Sequence, residues 1–262
     1  MMDAAQVEEL GDELFDALRK RHVVEPLTKR FADITVDDAY GVSKHMLARR
    51  LAAGEKLIGR KVGLTNKGVQ KHFGIDEPDY GNLTDPMRFA DGADVPVSEL
   101  LIQPKIEGEI GFVLKRGLKG PGVTVAEVLE ATDYVAACFE IVDSRISDWR
   151  IRIADTIADN GSSGLFVMSE ERADPTAMDL SACEMSMTAN DEIVSEGTGA
   201  AALGSPLTCV AWLANTLGAA GDALRPGDVI LSGSLGPVIE AKPNTAMRVT
   251  ISGVGTVSLR LV

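Results

Sequence analysis

Two glutamates, Glu107 and Glu109, interrupt a stretch that otherwise has the composition of a buried strand, residues 104–114. Residues two apart on a strand point to the same face, so the two carboxylates are expected side by side. After Glu109, hydrophobic residues occupy both odd- and even-numbered positions, which is the pattern of a strand covered on both faces. Burying two like charges is costly unless a positive charge neutralises them, and Mg²⁺ or Mn²⁺ prefers carboxylate oxygen. The alternative is an edge strand with both glutamates in water.

A further glutamate, Glu140, lies among apolar residues in the predicted strand 133–142. A buried glutamate needs a partner, because an isolated buried charge is strongly unfavourable. A third metal carboxylate would explain it, and so would an ion pair with Arg145 or another basic residue. Asp143 competes for the ligand role. Asp143 and Glu140 are three residues apart, so on one strand their side chains point to opposite faces. Only one of the two is therefore expected to face the metal.

Lys61 lies in an apolar strand between two glycines, Gly59 and Gly63. Burial or nearby cations would lower the pKa of such a lysine, and a nearby carboxylate would raise it. The residue is therefore a candidate proton carrier or carboxylate-binding group. The more common alternative is a lysine at a strand end that reaches solvent. The glycines indicate close approach of the backbone to a ligand or a neighbouring strand.

Three polar segments are candidates for the surroundings of such a site. The composition of 76–81 predicts a turn, and Asp79 is either part of a plain turn or an acid–base residue on a loop over the site. The cluster of small residues at 158–164 would present backbone N–H groups and the Ser162 hydroxyl to an oxyanion. The strand before Gly233 and Ser234 runs into a Gly-Ser-x-Gly-Pro turn, which suits a bound carboxylate.

Charge and composition exclude several classes of partner. The 262 residues carry a formal net charge of −13, which argues against nucleic acid and anionic membrane surfaces. No apolar run approaches the roughly 20 residues needed to span a bilayer, and the acidic segment 1–10 does not resemble a signal peptide. The three cysteines are far apart, which favours free thiols in a reducing cytoplasm.

Periodicity and turn signals predict an α+β protein with a curved, mostly β core. Residues 1–56 are expected to form an N-terminal helical cap region and residues 57–262 a β-rich catalytic core. Asp37 or Asp38 is expected to cap the second helix. No Gly-x-Gly-x-x-Gly follows a strand, so a doubly wound nucleotide fold is disfavoured. The predicted helices are 3–21, 36–53, 66–73, 124–131 and 205–217, and the predicted strands are 57–64, 104–115, 133–142, 163–168, 183–189, 228–233, 246–252 and 255–261.

In order and spacing, these motifs resemble the fumarylacetoacetate hydrolase superfamily, and within it the 2-keto-4-pentenoate (2-hydroxypenta-2,4-dienoate) hydratases and 4-oxalocrotonate decarboxylases. The resemblance rests on Gly59–Thr65, Glu77–Gly81, Pro104–Glu109, Glu140–Arg145, Ala158–Ser162 and Leu231–Pro237. It implies a distorted mixed β-roll after the helical region, and a homo-oligomer. It also implies Mg²⁺ or Mn²⁺ bound by Glu107, Glu109 and Glu140, an acid–base pair of Lys61 and Asp79, and substrate contacts at Ser162, Gly233 and Ser234.

Within that branch, Arg60 and the segments 144–149 and 232–237 favour a hydratase. The resemblance then implies hydration of 2-hydroxypenta-2,4-dienoate to 4-hydroxy-2-oxopentanoate, in meta-cleavage catabolism of aromatic compounds. Ser205 stands where many relatives have histidine, and as an N-cap it would begin a helix at Pro206.

Three alternatives to hydration remain open: decarboxylation of 4-oxalocrotonate, C–C hydrolysis of an acylpyruvate, and a non-catalytic subunit that stabilises a decarboxylase or aldolase. The complete set of charged residues argues against the last. Association of an active hydratase with a downstream aldolase or decarboxylase is also possible.

Overall fold

The computed structural model describes residues 2–73 and 77–262. The described α-helices are α1 (Ala4–Lys20), α2 (Leu27–Arg30), α3 (Val36–Ala52), α4 (Lys67–Phe73), α5 (Val97–Leu100), α6 (Val125–Ala131), α7 (Ile153–Ala158) and α8 (Pro206–Ala219). The described strands are β1 (Leu57–Gly63), β2 (Asp79–Thr84), β3 (Arg88–Phe89), β4 (Asp94–Val95), β5 (Lys105–Leu114), β6 (Thr132–Val142), β7 (Ser163–Met168), β8 (Glu184–Ala189), β9 (Glu192–Thr198), β10 (Val229–Leu231), β11 (Ile239–Glu240), β12 (Thr245–Ile251) and β13 (Gly255–Leu261).

The strands form two mixed sheets. The larger sheet has the order β2-β1-β10-β5-β6-β7-β3, with β11 paired to β5, and the smaller has the order β4-β13-β12-β8-β9. Most neighbours are antiparallel, whereas β1 is parallel to β10, β3 to β7 and β4 to β13. The α+β prediction is confirmed. Because β5 lies between β10 and β6, the edge-strand alternative for its two glutamates is wrong.

The N-terminal helices pack into a hydrophobic cluster of their own. Leu14, Leu27 and Met46 from α1 to α3 are at most 1% exposed, and Ile146 and Ile157 from later in the chain complete the same cluster. The cap region therefore shares its core with α7, which follows β6. The division at residue 56 stays a prediction.

The second helix of the cap begins differently from the expectation. Thr35 is the N-cap of α3, because its hydroxyl accepts a hydrogen bond from the Asp38 N–H. The Asp38 carboxylate in turn accepts one from the Thr35 N–H, at 3.0 Å. The prediction of Asp37 or Asp38 as the cap was wrong. Asp38 is instead the third helical residue of a capping box.

All eight predicted strands and all five predicted helices have a counterpart, but eight of the described helices and strands were missed. The strand β2 begins at Asp79, so the prediction that Asp79 lies on a loop was wrong. Its sequence includes aspartate, glycine and asparagine, which disfavour strands, and pairing with β1 outweighs that preference. The other missed elements are the strands β3, β4, β9 and β11 and the helices α2, α5 and α7. Asp76, part of the predicted turn, lies outside the described residues.

The stretch Gly199–Ala219, which contains α8, is long and apolar enough to cross a membrane by length and composition alone. Within α8, Cys209, Val210 and Leu213 are fully buried in the main hydrophobic core. This packing is that of a core helix in a globular protein.

Candidate active site

The register of β5 and β6 brings three carboxylates together. Glu107 lies directly opposite Glu140 across the two strands, and Glu109 lies two residues further along β5, on the same face as Glu107. One carboxylate oxygen from each residue lies within 4.8 Å of one from each of the others. Glu109 and Glu140 are buried, at 0% and 1% exposure. The predicted side-by-side placement of the two β5 glutamates is therefore present, with Glu140 facing them.

The hydrogen bonding of these carboxylates leaves oxygens free for a metal ion. The Gly233 N–H donates to Glu109 Oε2 at 2.8 Å. Among the described residues, no donor makes a hydrogen bond to Glu109 Oε1 or Glu140 Oε2, and Glu140 Oε1 has only the Lys61 ammonium group nearby, at 3.3 Å. Buried oxygens without a donor are unfavourable unless a cation contacts them. An all-oxygen set of three carboxylates suits a hard divalent ion such as Mg²⁺ or Mn²⁺, so the residues present fit such a group.

Lys61 supplies a positive charge to the cluster. Its Nζ lies 3.3 Å from Glu140 Oε1, and the residue is 3% exposed, so the alternative of a lysine reaching solvent is wrong. Burial by itself would lower the pKa of Lys61. The charges of Glu140, Asp79 and the two β5 glutamates outweigh burial and raise the pKa. Lys61 is therefore a buried ammonium group at neutral pH.

The carboxyl groups of the cluster bind protons more tightly than usual. Burial, together with the charge of Glu140, raises the pKa of Glu107 to about 7. Burial and the same neighbouring charge raise the pKa of Glu109 well above its usual range. Burial also raises the pKa of Glu140, although the Lys61 charge opposes the shift. Without a metal ion, the cluster therefore retains protons near neutral pH, because its carboxylates are buried and their like charges repel one another.

Asp79 borders the same space from β2, where it pairs with Gly63 of β1. It is 1% exposed, and its Oδ2 accepts a hydrogen bond from Thr156 Oγ1 at 3.0 Å. A Cβ at Gly63 would lie 2.2 Å from Asp79 Oδ1 and 3.1 Å from Lys61 Nζ, so only glycine leaves room for both groups. Burial raises the pKa of Asp79, with the Lys61 charge opposing. The close approach predicted at Gly63 is confirmed.

Thr156 has a supporting role that the sequence analysis missed. Its hydroxyl contacts Asp79 and also lies 3.4 Å from Ser162 Oγ. The residue is on α7, a short helix with no distinctive motif, so nothing in the sequence pointed to it. Residues 160–162 have consecutive positive φ values of 57°, 61° and 52°. Such backbone is costly outside glycine, and here it places the Ser162 hydroxyl against Thr156.

The remaining candidates near β6 have structural partners. Asp143 Oδ1 accepts hydrogen bonds from the N–H groups of Ile102 and Gln103, at 3.0 and 2.7 Å. Arg145 pairs with Asp159, its Nε lying 2.5 Å from Asp159 Oδ1, and both are fully buried. Among the alternatives considered for Glu140, Arg145 is therefore excluded as its partner. Asp143 holds the backbone before β5.

A cavity of about 670 Å³ joins these groups. Lys61, Asp79, Glu107, Ser162 and Ser234 are among the residues that line it. Its other walls are largely apolar and include Val142, Trp149, Ile151, Leu235, Pro237 and Val238. The cavity thus combines a few polar groups at one place with an apolar enclosure, as small-molecule sites do.

The turn after β10 has a different arrangement from the predicted one. Gly233 has a φ of 97°, and a Cβ there would lie 2.3 Å from Thr65 Oγ1. Its N–H is directed at Glu109, whereas Ser234 Oγ donates to the Gly236 carbonyl at 2.7 Å. Ser205 is at the N-cap position of α8, as expected, but its side chain makes no capping hydrogen bond. It is not among the described residues that line the cavity.

The fold is that of the fumarylacetoacetate hydrolases. Residues 63–262 match the family described as fumarylacetoacetate (FAA) hydrolase C-terminal, and the chain belongs to that family. The predicted family resemblance is therefore confirmed.

Known proteins match this chain in sequence or structure over most or all of its length. A 2-hydroxypent-2,4-dienoate hydratase of Pseudomonas putida is 56% identical over 83% of this chain and 98% of its own length. A 2-hydroxyhexa-2,4-dienoate hydratase of Comamonas testosteroni is 49% identical over 99% of both chains. Among solved structures, the 4-oxalocrotonate decarboxylase from Pseudomonas putida G7, complexed with magnesium and adipate, is 35% identical. It superposes with a TM-score of 0.96 and covers 100% of this chain and 99% of its own.

Proposed function

We propose that this protein is a metal-dependent hydro-lyase that adds water to 2-hydroxypenta-2,4-dienoate to give 4-hydroxy-2-oxopentanoate. The observation that carries the proposal is the buried carboxylate cluster, with Lys61 and Asp79 at its side, at the wall of one cavity. The names of the similar hydratases, at 49% and 56% identity, support the substrate class. The role in meta-cleavage catabolism of aromatic compounds follows from that substrate.

Glu107, Glu109 and Glu140 would hold Mg²⁺ or Mn²⁺. When bound, the ion would supply Lewis-acid polarisation of the substrate 2-oxygen. The choice between the two ions is part of the proposal, and solved structures of relatives contain magnesium, calcium or, in a 15% identical fumarylpyruvate hydrolase, Mn²⁺. That last likeness shows the fold alone.

The residues of this chain would manage the protons. The substrate loses the proton of its 2-hydroxyl group, carbon 5 gains a proton, and water then adds across carbons 3 and 4. Burial raises the pKa of Asp79, which favours a carboxyl group that both gives and takes a proton. Lys61 keeps its proton and stabilises negative charge developing on the substrate. Ser162 would bind substrate, and Thr156 would orient the Asp79 carboxylate.

Gly233 and Ser234 remain proposed substrate contacts, but each already makes a hydrogen bond within the protein that limits its contact with substrate. The Gly233 N–H is already engaged by Glu109, so its contribution would be to hold that ligand in place. Ser234 lines the cavity, and its hydroxyl would have to turn from the Gly236 carbonyl to reach substrate.

The test follows the ultraviolet absorbance of freshly generated 2-hydroxypenta-2,4-dienoate with purified protein, in the presence of Mg²⁺ or Mn²⁺ and then of a chelator. We expect metal-dependent loss of the dienol and formation of 4-hydroxy-2-oxopentanoate. Glu109→Gln should abolish turnover, whereas Glu130→Gln on the exposed face of α6 should leave it unchanged. Turnover that persists in Glu109→Gln, or in metal-free protein, would refute the proposal.

Decarboxylation of 4-oxalocrotonate is the second candidate. The observation that favours it is the TM-score of 0.96 to a decarboxylase across the full chain. The two reactions give different products, so measuring carbon dioxide release from the dicarboxylate separates them.

The proposal extends to assembly and location. Homo-oligomerisation, association with a downstream aldolase or decarboxylase, and a cytoplasmic location rest on the resemblance and the free cysteines. Size-exclusion chromatography with light scattering, alone and with the aldolase, tests the first two.

A further inference from the structure

A lysine and a tryptophan form an unassigned pair in the wall of the cavity. Lys105 is the first residue of β5, and Trp149 lies in the loop between β6 and α7. The Lys105 ammonium group lies 4.3 Å from the centroid of the Trp149 ring, both residues are half-buried, and both line the cavity. The pair is thus a cation–π contact beside the metal-ligand set.

Strand geometry places Lys105 in line with the carboxylate cluster. It is two residues before Glu107 and four before Glu109, so all three side chains project from the same face of β5. Residues two apart on a strand are separated by about 7 Å, roughly the length of a small carboxylic acid. Lys105 therefore lies within reach of an acid bound at the cluster.

Among the described residues, Lys105 has no carboxylate partner for its charge. Of the described residues lining the cavity, only Lys61 and Lys105 are cationic, and Lys61 is engaged by Glu140. Lys105 makes no ion pair with any carboxylate that the structure describes. Glu240, opposite it on β11, pairs with Lys242 instead. In a protein of net charge −13, Lys105 is thus a cation available to attract an anion to this cavity.

Trp149 is held firmly enough to position the lysine. Its Nε1–H donates to the Gln103 carbonyl at 3.0 Å. The Gln103 side chain in turn donates to the carbonyls of Ser144 and Ile146, at 2.8 and 2.5 Å. Trp149 has a φ of 53°, an uncommon conformation outside glycine that these hydrogen bonds fix.

We propose that Lys105 binds a carboxylate of the anionic substrate and that Trp149 is its positioning residue. The proposal rests on the proposed function for the substrate, a short 2-oxo or 2-hydroxy acid. In the free protein the ammonium group lies on the indole face. On binding it turns toward the carboxylate, so substrate capture exchanges a cation–π contact for a charge-assisted hydrogen bond. Lys105 would therefore act mainly on KM.

The test measures binding without turnover. The chain has two tryptophans, so Trp212→Phe leaves Trp149 as the sole indole reporter. Mg²⁺-loaded protein is titrated with pyruvate, a monocarboxylate, and with adipate, a dicarboxylate. We expect both acids to change Trp149 emission. Lys105→Met should weaken binding by about tenfold or more, the size of a charge-assisted hydrogen bond, and Lys105→Arg should restore most of it.

The two acids distinguish which carboxylate Lys105 takes. If Lys105→Met binds both acids more weakly than the parent protein does, Lys105 contacts the carboxylate beside the metal. If it binds only adipate more weakly, Lys105 contacts the second, distal carboxylate. Lys115→Met removes an exposed charge just beyond β5 and is the matched control. Unchanged affinities in Lys105→Met, equal losses in Lys115→Met, or no binding of either acid to the parent protein would overturn the proposal. If Trp212→Phe does not fold, isothermal titration calorimetry of the otherwise unaltered protein gives the same comparison.

Failure of the proposed hydratase reaction can be distinguished from failure of the proposed Lys105 role. If the parent protein binds the acids through Lys105 but does not hydrate the dienoate, the proposed reaction fails and the carboxylate site stands. If it hydrates the dienoate and Lys105→Met retains the parent KM, the reaction stands and the Lys105 role fails.

Discussion

Gly63→Ala would put a methyl group into the space where Lys61 and Asp79 meet. The new Cβ would lie 2.2 Å from Asp79 Oδ1 and 3.1 Å from Lys61 Nζ, whereas ordinary contacts are 3.4–4 Å. The Asp79 carboxylate must therefore move by about 1 Å, a displacement sufficient to impair a positioned catalytic group. Gly63 has no positive φ, so alanine introduces no backbone strain. The substitution thus displaces the proposed acid–base group without removing any ionisable residue.

The displacement predicts a large kinetic effect and a small structural one. A misplacement of about 1 Å costs on the order of 10²-fold in rate, so we expect kcat to fall about 100-fold. Overpacking one methyl group costs about 1–3 kcal/mol of unfolding free energy, which a folded domain of this size tolerates. Metal affinity should change little, because the three glutamates lie on other strands.

The assay is dienol absorbance at saturating Mg²⁺, with calorimetric metal titration and a thermal melt of the same sample. Gly41→Ala is the matched control: its Cβ, on α3, would meet only the Val7 side chain, at 3.2 Å. It should keep the parent kcat. A Gly63→Ala protein with parent kcat, or one whose loss of activity is matched by loss of metal binding, would refute the assigned roles of Lys61 and Asp79.

Three further predictions concern charge. Lys61→Met removes the cation beside Glu140 and should lower kcat by at least about 10²-fold while the metal still binds, as separate activity and calorimetric assays would show. The apparent metal affinity should rise with pH at least up to about 7 and fall at least about tenfold for each unit below it, because the protons retained by Glu107 and its neighbouring carboxyl groups, whose pKa values are raised, must leave. A pH-independent affinity would contradict this. Arg145→Met strands the buried Asp159 carboxylate and should cost about 3–5 kcal/mol in chemical denaturation, with Arg150→Met, at the surface, as the control.

Local patterns in the sequence predict the carboxylate cluster because the placement of its members depends mostly on neighbouring residues. The pair Glu107 and Glu109 needs only strand alternation, and Glu140 needs only a buried strand next to it. The glycines around Lys61 likewise signal close contacts that the structure contains. These features follow from two or three residues each, so no knowledge of the topology is required.

Long-range contacts account for what the sequence did not reveal. Lys61 reaches Glu140 across two intervening strands, β10 and β5, so their pairing depends on the strand order. Asp79 was expected on a loop because its own segment favours a turn, and only pairing with β1 makes it a strand. Thr156 contacts Asp79 from a helix 77 residues later, with no motif to mark it. Local composition cannot specify contacts of this kind.

The charge balance of the cavity connects its stability with its chemistry. Three carboxylates and Asp79 face one buried cation, Lys61, so full ionisation would leave an uncompensated negative charge of three. Retained protons lower that charge in the metal-free protein, as the raised carboxyl pKa values show. A divalent cation would replace those protons and supply the same compensation. The carboxylates that bind protons in the metal-free protein would therefore exchange those protons for the proposed metal ion. Lys105 would remain free to attract the proposed anionic substrate.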